Sequence, residues 1–158
     1  MMKQSLREKN HSMHLLLQKV SGDIADFRYT SQQLSDLMES EVHIIDKNKT
    51  DLSSPQYNEG VKEIFRESLI SEKDQERLYQ YTQSTCNVAY HEKSLMIVPI
   101  VNMGERLGTM VYLREENFND DDFLLGEYGG TIAAVQIMRE INRKAENETR
   151  KKILYNWP

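Results

Sequence analysis

One cysteine, Cys86, is all the thiol chemistry this 158-residue chain has. A single thiol allows no internal disulfide and cannot build a cysteine-rich metal site. Long apolar runs are missing too. Mean hydropathy is −0.67, and nothing approaches the roughly 20 apolar residues that a membrane-spanning helix requires. The N-terminus, MMKQSLREKN, is too charged for a secretory signal peptide. A reducing cytoplasm is the expected home, with no membrane partner. Surplus positive charge is also lacking: 20 Lys and Arg face 25 Asp and Glu, for a net charge of −5. That balance argues against a general nucleic-acid-binding surface. The basic run Arg150-Lys151-Lys152 cannot supply the roughly six phosphate contacts that useful affinity needs.

Catalytic signatures are absent as well. The chain has no GxxxxGK[ST], GxGxxG, HExxH or GxSxG motif. Gly126, Gly129 and Gly130 sit inside a helical pattern instead of ahead of one, which suits close approach of another backbone, from the sheet or a partner helix, and not a phosphate cradle. Asp120, Asp121 and Asp122 are adjacent at a helix start. They point in different directions there, so they complement the helix dipole instead of chelating a metal. His11 and His14 share a helical face without a third ligand. His43 lies in a strand and is expected to point out of the pleat. Cys86 has only His91 and Lys93 nearby in sequence as activating groups, and a buried or half-buried, unactivated thiol is expected. No nucleophile–base pair is readable, so the chain is expected not to be an enzyme.

What is present is a regular alternation of elements in a length that suits one domain. Residues 3–20 read as a helix with Leu6, Lys9, Met13, Leu16, Leu17 and Val20 on one side, ending at a Gly22 cap. That face packs either on the domain's own core or on a second copy. A second helix starts at Thr30, where Thr30 and Gln33 form a capping box with a Tyr29–Leu34 staple, and buries Leu34, Leu37 and Met38. Val42-His43-Ile44-Ile45 is a strand with one buried face, and Thr50-Asp51-Leu52 starts a return after a polar turn. Helices are expected over 59–69 and from Ser71, then a strand over 85–90.

The stretch from Ile97 to Met138 organises the rest. Leu95–Val101 and Leu107–Leu113 are apolar strands joined by a turn at Met103-Gly104, predicting an antiparallel hairpin. Asn119 then caps a long helix whose apolar stripe is Leu124, Tyr128, Ile132, Val135, Met138 and Ile141. Past Ile141 the sequence is nearly all polar to Lys152. The fold class is α+β: a mainly antiparallel sheet flanked by helices, with long helices at both ends.

VPIVNMGERLGT followed by FNDDDFLLGEYGGTIAAVQIMRE resembles the effector-sensing domain of the CodY family of Gram-positive transcriptional repressors. The resemblance is specific from Ile97 to Glu140 and a matter of pattern upstream. It implies a GAF-like domain over residues 1–140 and a helical linker stub over 141–158. The family's DNA-binding winged helix is expected to be absent, so this chain alone is expected not to bind DNA specifically. It also implies a homodimer and a response to GTP and branched-chain amino acids such as isoleucine. The ligand pocket it implies is lined by Val61, Ile64, Phe65, Arg66, Ile70, Asp74 and Leu78. Gly60 stands where the family has a carboxylate-binding arginine, with Arg66 or Arg77 the nearest substitutes. An unpaired buried carboxylate is costly, so amino-acid binding is expected to be weak or lost. The alternative is a stand-alone interaction protein that pairs with a relative.

Overall fold

The computed structural model describes residues 4–22, 26–48, 50–53, 85–90 and 92–155. The expected helices over 59–69 and from Ser71 lie outside them. Among the described residues, the order is α1 (Leu6–Gly22), α2 (Phe27–Met38), β1 (Glu41–Asp46), β2 (Cys86–Tyr90), β3 (Lys93–Asn102), β4 (Glu105–Arg114) and α3 (Asp120–Tyr155). The four strands form one antiparallel sheet ordered β1-β4-β3-β2. This is the α+β class that the residue pattern predicts. No helix among the described residues is long and apolar enough to cross a membrane.

The hairpin is as expected. β3 and β4 are neighbours, paired from Ser94↔Arg114 to Asn102↔Glu105 with a register shift at Ile100/Val101. Met103 (φ 50°) and Gly104 (φ 81°) both take the left-handed conformation, which matches the twist of the flanking strands.

Of the three described helices, α2 and α3 pack on one face of the sheet and α1 packs against α2 and α3. Met13, Leu16 and Val20 of α1 and Leu34 and Met38 of α2 are buried with Val42, Ile44, Met96, Val98, Met110 and Tyr112 of the strands. Because strand side chains alternate, Ile45, Leu95, Ile97, Val111 and Leu113 form a second buried cluster with Cys86 beside it. β1 is therefore buried on both faces, not one.

Three helix details differ from expectation. Gly22 is the last residue of α1 and is not left-handed. α2 begins a turn earlier than Thr30: Asp26 is its N-cap, accepting from the amides of Arg28 and Tyr29. Thr30 is interior, its hydroxyl donating to Gln136 of α3 at 2.7 Å, and this buried tertiary bond is what draws it inward. In α3, Leu124 (62% exposed) and Ile141 (46% exposed) lie outside, while Leu125 and Ile137 are buried. The contact face is set by its small residues. A methyl group on Gly126 would meet Met96, one on Gly129 would meet Tyr112 and Leu34, and one on Gly130 would meet Val98. The glycines thus admit mainly side chains, from the sheet and from Leu34 of α2; the one backbone atom near them is the Pro99 carbonyl oxygen, 3.8 Å from a Cβ on Gly130.

Candidate functional site

The residues expected to line a ligand pocket (Val61, Ile64, Phe65, Arg66, Ile70, Asp74 and Leu78) lie outside the described residues, as do Gly60 and Arg77. The described chain leaves the sheet beside β1 at Ser53 and re-enters it at Thr85, just before β2. β1 and β2 are opposite ends of the strand order. The sheet face between them is what can be built from its residues.

Across that face the register aligns His43 with Val111, Val111 with Ile97, and Ile97 with Cys86. Ile45, Leu95 and Leu113 complete an apolar floor. At the β1 end the floor meets a polar cluster. His43 Nδ1 lies 2.7 Å from Oδ2 of Asp51, and His43 Nε2 lies 3.1 Å from Oε1 of Glu41. Asp51 Oδ1 accepts from the Ser53 amide at 3.0 Å and from its hydroxyl at 2.5 Å. The same Ser53 oxygen accepts from the Ile44 amide at 3.3 Å. Local geometry puts Asp51 there. Asp46 Oδ1 accepts from the amides of Asn48 and Thr50, reversing the chain so that Asp51 bridges to Ile45.

His43 is buried at 6% exposure and Asp51 at 1%, so the expectation that His43 points out into solvent fails. Burial opposes its charge, but the hydrogen bonds to Asp51 and Glu41 and their negative charge outweigh that, and its pKa is pushed up to about 9. For Asp51, burial is likewise outweighed by His43 and Ser53, and its carboxyl falls below the usual carboxylate value. Cys86 is half-buried, as expected. Burial pushes its thiol up, against a smaller opposing effect from Arg106. Three inter-strand steps, roughly 14 Å, separate the His43 and Cys86 strands, so His43 cannot activate that thiol. Among the described residues, this face combines a buried apolar cluster with a fixed charge cluster at its β1 end.

A cleft of about 700 Å³ lies where α3 leaves the body. Val20, Phe27 and Leu52 give it an apolar base and Arg139, Glu140 and Lys144 charged walls. Arg139 donates to the Val20 carbonyl at the end of α1.

Against known proteins, the chain matches the family described as "CodY GAF-like domain" over residues 5–156. It belongs to that family. The Global transcriptional regulator CodY of Listeria welshimeri is 32% identical over 92% of this chain and 64% of the relative. That of Lysinibacillus sphaericus is 31% identical over 94% of this chain and 65% of the relative. The chain thus spans just under two thirds of the length of these CodY relatives. Among solved structures, the GAF domain of Acinetobacter phosphoenolpyruvate-protein phosphotransferase has a TM-score of 0.53, with 10% identity. It covers 87% of this chain and 95% of that one, which shows the GAF fold.

The polar cluster was missed by the sequence reading, although its parts were in view. A strand over 42–45, a polar turn and a return at Thr50 place Asp51 beside β1. What gave no sign was that this end of the strand is buried on both faces.

Proposed function

We propose that this chain is the non-enzymatic effector-sensing and dimerising portion of a CodY-like global transcriptional regulator. The reading rests on family membership over residues 5–156 and on the CodY relatives being global transcriptional regulators. The structural observation that carries it is the two-part character of α3. Its first half is bolted to the body: Asp122 to Arg114, the Gly126 carbonyl to the Tyr112 hydroxyl, Gln136 to Thr30, and Arg139 to Val20. Residues 141–154 are exposed and extend roughly 21 Å at 1.5 Å per residue. A rod rooted in a sensing body and free beyond it is suited to carry a change of state outward.

Dimerisation through α1 and α3 belongs to the same proposal. Leu6 and Leu15 of α1 and Ile141, Ile153 and Leu154 of α3 are exposed large apolar side chains, and isologous two-fold pairing is the commonest arrangement. Specific DNA binding is not expected of this chain alone. The effector is a small metabolite, and with Gly60 at the carboxylate-binding position, isoleucine binds weakly, above about 100 μM or roughly −5.5 kcal/mol. Thermal unfolding against a panel of amino acids and guanine nucleotides tests the reading. At least one should raise the midpoint in a concentration-dependent way, with isoleucine among the weak ones. No shift with any of them would count against sensing. Isoleucine binding tighter than about 100 μM by calorimetry would show that a cation other than one at position 60 serves the carboxylate.

A further inference from the structure

The polar cluster on β1 carries an inference that does not depend on the sensing role. Both ring nitrogens of His43 face carboxylates, Asp51 at Nδ1 and Glu41 at Nε2. Ionised carboxylates only accept hydrogen bonds, so both nitrogens must donate and the ring is held as the imidazolium. Its Asp51 partner is the centre of the Thr50–Ser53 return. Asp51 also binds Ser53 twice, Ser53 accepts from the Ile44 amide, and the Leu52 amide donates to the Ile44 carbonyl at 2.8 Å. One doubly protonated ring therefore fastens the return to β1, the edge strand among the described strands.

We propose that His43 is an alkali-released latch: loss of its second proton frees the Thr50–Ser53 return and bares the edge of β1. A neutral ring must turn a lone pair toward Asp51 or toward Glu41, and either choice replaces a charge-assisted hydrogen bond with repulsion. Among the described residues, few other groups bear on it. Glu41 lies on its own strand, and Asp51 and Ser53 lie on the return. Lys93 of β3 acts on Glu41. The β4 residues paired with Glu41, His43 and Ile45 are Leu113, Val111 and Thr109, none of them charged.

The direction in pH follows from the two states. When latched, burial is outweighed by the two carboxylates and His43 holds its proton up to about 9, against 6.5 for a free ring. The latch is therefore at full strength below about pH 6.5 and weakens as pH rises. Opening becomes about tenfold easier per pH unit, until the latched ring itself loses its proton near 9.

The test uses the wild-type chain. The His43 ring is titrated by NMR, and exchange of the Leu52 and Ser53 amides is followed from pH 6 to 9, corrected for the intrinsic chemical rate. The expected result is a ring pKa near 9 and an opening constant that climbs about tenfold per pH unit. His43→Gln should exchange faster than wild type, with a corrected rate that no longer depends on pH. Should that variant fail to fold, Glu41→Gln removes the outer carboxylate only and should lower the ring pKa and narrow the sensitive window. A ring titrating near 6.5, or wild-type opening that is flat across this range, overturns the latch.

Discussion

Arg114 at the end of β4 holds Asp122 in the first turn of α3 at 2.5 Å, and both side chains are largely buried. The carboxylate is doubly used, because its Oδ2 also accepts from the Asn119 amide while Asn119 Oδ1 accepts from the Asp122 amide. This reciprocal capping box fixes where α3 starts. Arg114 donates in addition to the Met38 carbonyl at the end of α2. Asp122→Ala takes the carboxylate from Arg114, leaving its guanidinium the carbonyls of Met38, Glu116 and Asn117, and removes the half of the box that accepts from the Asn119 amide. It should lower the unfolding free energy by about 2 kcal/mol. Denaturant unfolding measures this, and a loss under about 1 kcal/mol would mean that solvent satisfies Arg114.

Gly129 is held at glycine by its neighbours. A Cβ there would press on the Tyr112 hydroxyl and on Leu34, so Gly129→Ala should destabilise by about 2 kcal/mol, although alanine is the better helix former by up to about 1 kcal/mol. Gly22→Ala is the control: nothing lies within 4 Å of its added methyl and its backbone is not left-handed. It should be neutral or stabilising by about 0.5 kcal/mol. If thermal melts placed the two variants together, close packing of α3 on the sheet would not be the reason for the glycine.

Met103 is 98% exposed and sits at φ 50° in the hairpin loop. Asparagine tolerates that conformation better than methionine and precedes Gly104 in the favoured order. Met103→Asn should therefore stabilise the domain by about 0.5 kcal/mol. A drop in midpoint would mean that the exposed methionine makes a contact in solution.

The half-buried Cys86 thiol, with its ionisation pushed upward mainly by burial, should be alkylated at pH 7.5 several-fold more slowly than a thiol in the unfolded chain. Labelling followed by mass spectrometry decides this. A rate above the unfolded value would point to an activating group beside it.

How much of this was legible depended on how local the cause was. The β3–β4 hairpin follows from two apolar runs and a Gly104 turn, and the α3 start follows from Asn119 and its aspartates; both are nearest-neighbour chemistry. The α2 start differs by one turn because the Thr30–Gln33 pair makes a capping box on paper, whereas Asp26 accepts from the Arg28 and Tyr29 amides and the Thr30 hydroxyl turns to the distant Gln136. The apolar stripe expected on α3 holds for Ile132, which is buried, and for Tyr128, Val135 and Met138, which pack against the core; it fails at Leu124 and Ile141. Counting apolar side chains does not register the glycines on which the helix also docks, and these lie roughly 140° from Leu124 when Gly129 is taken as the centre. His43 was placed on the right strand and the wrong side of burial, since strand alternation alone does not reveal a sheet covered on both faces. The pocket residues from Val61 to Leu78 rest on the family resemblance alone.

The central claim is a dimeric regulatory module with α1 and α3 at its interface, and the molar mass in solution tests it most directly. Light scattering at about 100 μM should give twice the 18.5 kDa mass of the chain. Ile141→Glu should shift that mass toward the single chain without lowering the unfolding midpoint of the monomer, because Ile141 is already exposed. A wild-type chain that runs at its monomer mass at that concentration would contradict the account.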